Sequence, residues 1–249
     1  MPDDIFTRDQ RLCYHTGRLD HLLSTLELGF WPRYCPEDCS RLFEAYIGEQ
    51  FWVAAPIVCF TDMLPDTNEA HRGRYGDYTI AITKDSSEVF DINPLIYVLP
   101  DSFVAEQLVN CLRPGRTGRL DKTSPVWPLL PYVKVTPGAQ LLRGAGGRPD
   151  TWEILPMEDE MEWRYVANVP GLTLVEGVRE SKDVPAALMA LSEKNRLKIP
   201  HDNITDVIVP TKADADAVIA RFPALNGRVI VRGKSLLKRF FGWLYAISP

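Results

Sequence analysis

QRLCYHTGRLDHLLSTLELG, residues 10–29, is the stretch from which the fold reading follows. Residues 10–15 suit a short strand. Leu19, Leu22, Leu23 and Leu26 then recur at i, i+3, i+4 and i+7, the spacing of one helix face. Gly29 supplies a stop, since glycine takes the positive φ that ends many helices. Strand and amphipathic helix therefore follow one another directly. Further along, residues 53–60 read as a buried strand, with Pro56 limiting its length or placing it near an edge. Residues 78–84, 93–99, 132–136, 151–155 and 160–166 read as further strands. The patterns at 40–47, with Ser40 as cap, and at 102–112 are helical. The stretch FWPRYCPEDC, with two prolines, reads as irregular. Residues 61–76 form a polar loop and 144–150 a flexible turn.

The last third changes character. It reads as helix (184–195), strand (206–209), helix (212–221), strand (228–231) and a closing helix from Ser235. Strands dominate the first two thirds with helices scattered among them, which is α+β order rather than repeated βαβ units. The expectation is one α+β domain over 1–249, with a core at 1–170 and a C-terminal αβ subregion at 171–249.

Composition narrows the function classes. The chain has 249 residues, 45% hydrophobic and 24% charged, a globular balance that excludes a disordered tail protein. No run of about 18 uncharged apolar residues is present, so no membrane span and no membrane partner are expected. Lys and Arg number 28 against 33 Asp and Glu. The resulting net charge of -5 argues against coating duplex nucleic acid through bulk charge. The opening MPDDIFTRDQ has no apolar core of a secretory signal. Five cysteines (13, 35, 39, 59 and 111) form an odd set without paired spacing. A reduced, cytoplasmic protein is the expectation.

Common signatures fail. GxGxxG, HExxH, GxSxG and CxxC do not occur, and GRVIVRGKS (227–235) is mis-spaced for a phosphate loop. Cys35 and Cys39 lack a second metal-ligating pair, so no metal is expected. Arg113, Arg116, Arg119 and Lys122 lie in a Pro/Gly-rich loop that is either simply solvated or meets phosphate. KSLLKRFFGWLYAI (234–247) has too small a polar face for a membrane-surface helix and suits one docked on the core.

Two places remain. Tyr14, His15 and Thr16 end the first strand. In MEDEMEWRYV (157–166), period-two alternation puts Glu160, Glu162 and Arg164 on one strand face and Met161, Trp163 and Tyr165 on the other. Two neighbouring carboxylates repel, which splits their pKa values and suits acid/base work. An ionised carboxylate also stabilises positive charge at a sugar carbon. The plainer alternative is a solvated strand face with an internal Glu–Arg pair, and for His15 a core or turn histidine with a satisfied ring nitrogen.

The chain resembles the AbiGi family of abortive phage-resistance proteins in YHTGRLDHLLSTLELGFWPRYCPED, APIVCFTDM, HRGRYGDYTIAITKD, NPLIYVLPDS and EDEMEWRYV. These blocks cover roughly residues 12–167, with a weaker continuation through DNITDVIVP. That resemblance implies an abortive-infection role. Family members are described as antitoxins paired with a nucleotidyltransferase-like toxin. The order of a His-Thr strand, a helix ending in Gly and a late Glu-bearing strand is also distantly similar to the ADP-ribosyltransferase superfamily. The fold then implied is a split β-sheet core with peripheral helices, binding NAD as substrate. On that resemblance His15, beside Thr16, would hold a ribose hydroxyl, and Phe60-Thr61 would form the second motif. Phe60 or Tyr75 would stack on nicotinamide. Glu162 would stabilise the oxocarbenium-like transition state and Glu160 would orient or deprotonate the acceptor. The main expectation is an NAD-dependent ADP-ribosyltransferase toxin acting on a protein, RNA or DNA acceptor. The alternative is a non-catalytic antitoxin that masks a partner toxin from the same operon.

Overall fold

A computed structural model describes residues 11–47, 50–62, 73–112, 120–142 and 151–232. Arg113, Arg116 and Arg119, the turn at 144–150 and the segment from Ser235 lie outside the described residues. In chain order the elements begin with β1 (Arg11–Thr16), α1 (Leu19–Leu28), β2 (Arg33–Asp38), α2 (Ser40–Ile47), β3 (Trp52–Thr61), β4 (Tyr78–Thr83) and α3 (Ser86–Phe90). They continue with β5 (Ile92–Pro94), β6 (Ile96–Val98), α4 (Phe103–Leu112), β7 (Val133–Val135), β8 (Gly138–Leu142), β9 (Thr151–Leu155) and β10 (Glu162–Val166). The last are β11 (Val175–Glu176), α5 (Ala186–Lys194), β12 (Ile204–Val209), α6 (Lys212–Arg221) and β13 (Val229–Val231). The fold is mixed α+β. In the first of its two units the strand order is β13-β12-β4-β1, with the end of β3 beside β1, and in the second β2, β11 and β10 pair with β3 and β5 pairs with β10. The chain packs as two compact units and passes from one to the other after Phe30, Cys59, Phe90 and Leu197.

The first unit holds Met1–Phe30, Phe60–Phe90 and Lys198–Pro249. β1 and β4 pair antiparallel from Arg11↔Thr83 to Thr16↔Tyr78. β4 pairs antiparallel with β12, and β12 runs parallel to β13 through α6. This is the strand–helix–strand unit anticipated for the C-terminal third. Its helix starts where the Thr211 hydroxyl accepts the Asp214 backbone N–H at 3.2 Å. Ala215 and Val218, three positions apart, are buried, as are Val207, Ile208 and Val209 of β12. α1 buries Leu22, Thr25 and Leu26, while Leu19 and Leu23 are half-buried. Gly29, at φ 94°, ends it and donates to the Thr25 carbonyl at 2.9 Å.

The second unit holds Trp31–Cys59 and Asp91–Leu197. β2 occupies most of the stretch read as irregular, pairing antiparallel with β3 from Arg33↔Ile57 to Asp38↔Trp52. Pro36 is tolerated there because, among the described residues, β2 pairs only with β3. Pro56 does not shorten β3, which runs for ten residues. Proline lacks a donor but keeps its acceptor, and the Pro56 carbonyl takes the Ala167 N–H at 2.9 Å. At the start of α2, Asp38 rather than Ser40 caps: its carboxylate accepts the Ser40 N–H at 2.9 Å. The Ser40 hydroxyl accepts instead from Phe51 N–H at 3.0 Å. The unit's main core gathers Leu42, Phe43 and Phe51 with Val109, Trp127 and Leu130. Phe43 and Phe51 meet edge-to-face with centroids 4.8 Å apart. β6 and β7 form a separate parallel pair with Tyr97 opposite Lys134.

Candidate functional site

The acidic motif does not form one continuous strand. Met157–Glu160 is a 3-10 turn, and Met161 sits in the left-handed region at φ 44°. The strand anticipated from Glu160 begins at Glu162, and Glu160 enters from the turn. Met161, 42% exposed, projects outward. Within β10 the alternation holds, and the charged face is the inner one: Glu162 is 7% exposed and Arg164 1%. The solvated-face alternative is thereby overturned. Trp163 and Tyr165, on the opposite face, are half-buried.

A buried charged face requires partners, because an unpaired charge away from water is costly. The Arg164 Nε donates to Glu162 Oε1 at 2.7 Å and its Nη2 to Glu162 Oε2 at 3.2 Å. Arg164 Nη1 donates to the Pro131 carbonyl at 2.6 Å, and Nη2 also reaches Glu37 of β2. Lys134 of β7 donates from Nζ to Glu162 Oε2 at 2.8 Å and to Glu160 Oε2 at 2.7 Å. The Glu162 N–H donates to the Tyr97 hydroxyl at 2.9 Å. Three carboxylates (Glu37, Glu160, Glu162) thus meet two cations (Lys134, Arg164). The two glutamates converge on a shared ammonium rather than on each other.

Electrostatics follow from this geometry. Burial alone would raise the Glu162 carboxyl, but Arg164 and Lys134 outweigh it and hold the group well below the usual carboxylate range. Burial would lower Lys134, but Glu162, Glu37 and Glu160 raise it well above the ordinary lysine value. A lowered carboxyl stabilises the fold in full above its unfolded value, about pH 4.3, and that share is lost as pH falls below it. A raised ammonium stabilises in full below about pH 10.4 and is lost as pH rises beyond it. Thermal melting across pH is therefore expected to show a plateau with both limbs falling. Glu162→Gln should flatten the acid limb. An unchanged limb would contradict the assignment.

Two thiols adjoin the cluster. Cys35 of β2 stands opposite Ala55 of β3, and Cys59 lies four positions further along β3. Cys59 is exposed and Cys35 half-buried.

The remaining candidate residues lie in the first unit. His15 Nδ1 is 3.1 Å from the Thr79 hydroxyl on the paired strand. Thr16 is buried opposite Tyr78. Gly76, at φ 108°, passes so close to Thr16 and Gly17 that a Cβ there would strike their backbone. This approach brings Tyr75, which is exposed, to the end of β1. Phe60 is 2% exposed and packs with Tyr14 and Phe30, its ring centroid 5.5 Å from that of Phe30. Thr61 is buried opposite Cys13. The fold therefore groups His15, Thr16, Phe60, Thr61 and Tyr75 in one unit and Glu160 and Glu162 in the other.

Sequence reasoning missed Lys134, Glu37 and Tyr97. A signal existed for the first: Lys134 stands alone between Val133 and Val135 in a short apolar strand, both valines being buried. A lysine in such a strand needs a carboxylate partner.

Among the described residues no helix is long and apolar enough to cross a membrane. No curated protein and no solved structure matches the chain. A family model described as "Putative abortive phage resistance protein AbiGi, antitoxin" matches residues 29–199. The match spans more than half of the 249 residues and takes in every member of the ion cluster. It begins beyond His15 and Thr16. With the AbiGi blocks of its sequence and this match, the chain belongs to the AbiGi family of abortive phage resistance proteins.

Proposed function

We propose that the protein is a non-catalytic antitoxin that neutralises a partner toxin of an abortive-infection system by binding it. The observation that carries this reading is the state of Glu162. Both of its carboxylate oxygens are held by Arg164, and one also by Lys134. A catalytic glutamate that stabilises charge on a ribose must present an oxygen to substrate. Glu162 presents its oxygens to its own fold. The family's antitoxin description supports the same reading. On the sequence resemblance, the partner is a nucleotidyltransferase-like toxin.

The enzymatic alternative uses NAD as substrate, with His15, Thr16, Phe60, Thr61 and Tyr75 as binding residues and Glu162 and Glu160 as catalytic ones. It makes the opposite forecast for cells. Inducible expression of the chain alone should leave growth unchanged, and co-expression with the toxin encoded beside it should restore growth that the toxin stops. Growth arrest by the chain alone, relieved by Glu162→Gln, would overturn the antitoxin reading in favour of an ADP-ribosyltransferase.

A further inference from the structure

We propose that Trp31, Arg33 and Arg196 form the anchor by which the protein grips an acidic surface of its toxin, with the Arg33 guanidinium taking a toxin carboxylate. The assignment rests on the antitoxin reading and names the contact within it. All three residues lie in the second unit. The Arg33 guanidinium sits 4.5 Å from the centre of the Trp31 ring, and that of Arg196 5.4 Å from it. The indole itself is fixed. Its N–H donates to the Ser192 hydroxyl at 3.1 Å, and that hydroxyl, on a buried residue of α5, donates to the Met189 carbonyl at 2.9 Å. Arg33 opens β2 opposite Ile57, so its backbone is fixed as well. Its side chain is exposed, and among the described residues no carboxylate pairs with it. Arg196 differs, donating to Glu193 at 2.9 Å with its own side chain 13% exposed.

An exposed arginine loses rotamer freedom when it binds a partner. Stacking on a fixed indole removes much of that freedom beforehand and leaves the planar fork of N–H donors open to an oxyanion. Such a fork matches a carboxylate or a phosphate bidentately. Here the ligand is a protein carboxylate rather than a nucleic-acid phosphate. Nucleic-acid binding draws its strength from many phosphate contacts, whereas one guanidinium is unpaired here and the second shares its charge with Glu193. A run of phosphates passing both arginines would meet Glu193, whose side chain is exposed. The Trp31 ring is already engaged by two cations and so makes a poor platform for a stacked base. Tryptophan and arginine are, in contrast, enriched among the residues that dominate protein–protein contacts. The family match takes in all three residues.

Calorimetry measures binding of the full-length protein to the purified toxin encoded beside it. Arg33→Ala should weaken the complex about 30-fold, the loss at a hot-spot arginine, with the melting temperature of the free protein unchanged. Arg33→Glu should weaken it further. Arg33→Lys, which keeps the charge but not the fork, should restore only part of the affinity. Lys212→Ala, at an exposed pair with Asp216 in the first unit, is the control and should bind as the parent does. Equal toxin affinity in the parent and Arg33→Ala would overturn the proposal and leave the antitoxin reading standing. Failure of the parent itself to bind the toxin would overturn that reading, and the anchor with it. A fluorescein-labelled single-stranded RNA bound by the parent and lost in Arg33→Ala, with toxin affinity unchanged, would reassign the site to nucleic acid.

Discussion

Arg164→Met is expected to destabilise the protein by about 3–5 kcal/mol, the range for removing one partner of a buried ion pair. Methionine fills a similar space, so little of the loss would come from a cavity. The cost comes from what remains. Glu162 stays 7% exposed with its fork partner gone, Glu37 loses its cation, and the Pro131 carbonyl loses its donor. Urea unfolding at neutral pH measures the change as a shift in midpoint at constant slope. A double-mutant cycle with Glu162→Gln isolates the pair, and the double variant should recover a sizeable part of the loss. A cost below about 1 kcal/mol would place the pair in the class of surface ion pairs and contradict its role in holding β10.

Lys134→Met should have the next largest effect, about 3 kcal/mol by the same reasoning, and a distinctive pH signature. Without the shared ammonium, Glu160 and Glu162 lie near one another with Arg164 holding only the latter. Like charges in a buried site push one carboxyl upward. The sign of the acid limb then inverts. A folded-state carboxyl raised above its unfolded value stabilises below that value and loses its contribution as pH rises through the folded one. Melting temperature of this variant should therefore climb as pH falls from 7 toward 5, where the parent stays flat. A parallel profile in parent and variant would mean that the two carboxylates do not share Lys134.

The sequence disclosed the elements that rest on local patterning. The leucine spacing of α1, the alternation of β4 and the β12–α6–β13 unit follow from periods that neighbouring residues display on their own. It concealed β2, whose Pro36, Glu37 and Asp38 resemble loop chemistry until β3 supplies the ladder. It also concealed the turn at Glu160–Met161, since a non-glycine residue at positive φ leaves no compositional trace. The face of β10 was legible as Glu162 with Arg164, but its direction was not. Burial of that face depends on Lys134 and Glu37, which lie 28 and 127 residues from their partners Glu162 and Arg164. Pairings at such separation are set by topology, and one sequence does not encode them in any local period. The resemblance put His15 in the first and Glu162 in the third motif of one proposed site, and the packing assigns them to separate units.

Binding and catalysis leave different stoichiometries, and a titration distinguishes them most directly. Purified toxin is held at a fixed concentration well above the expected dissociation constant, and its residual activity is followed as the chain is added. The antitoxin account predicts a break at a fixed molar ratio, independent of incubation time and of added NAD. Inactivation by a small fraction of an equivalent, deepening with time and requiring NAD, would contradict it.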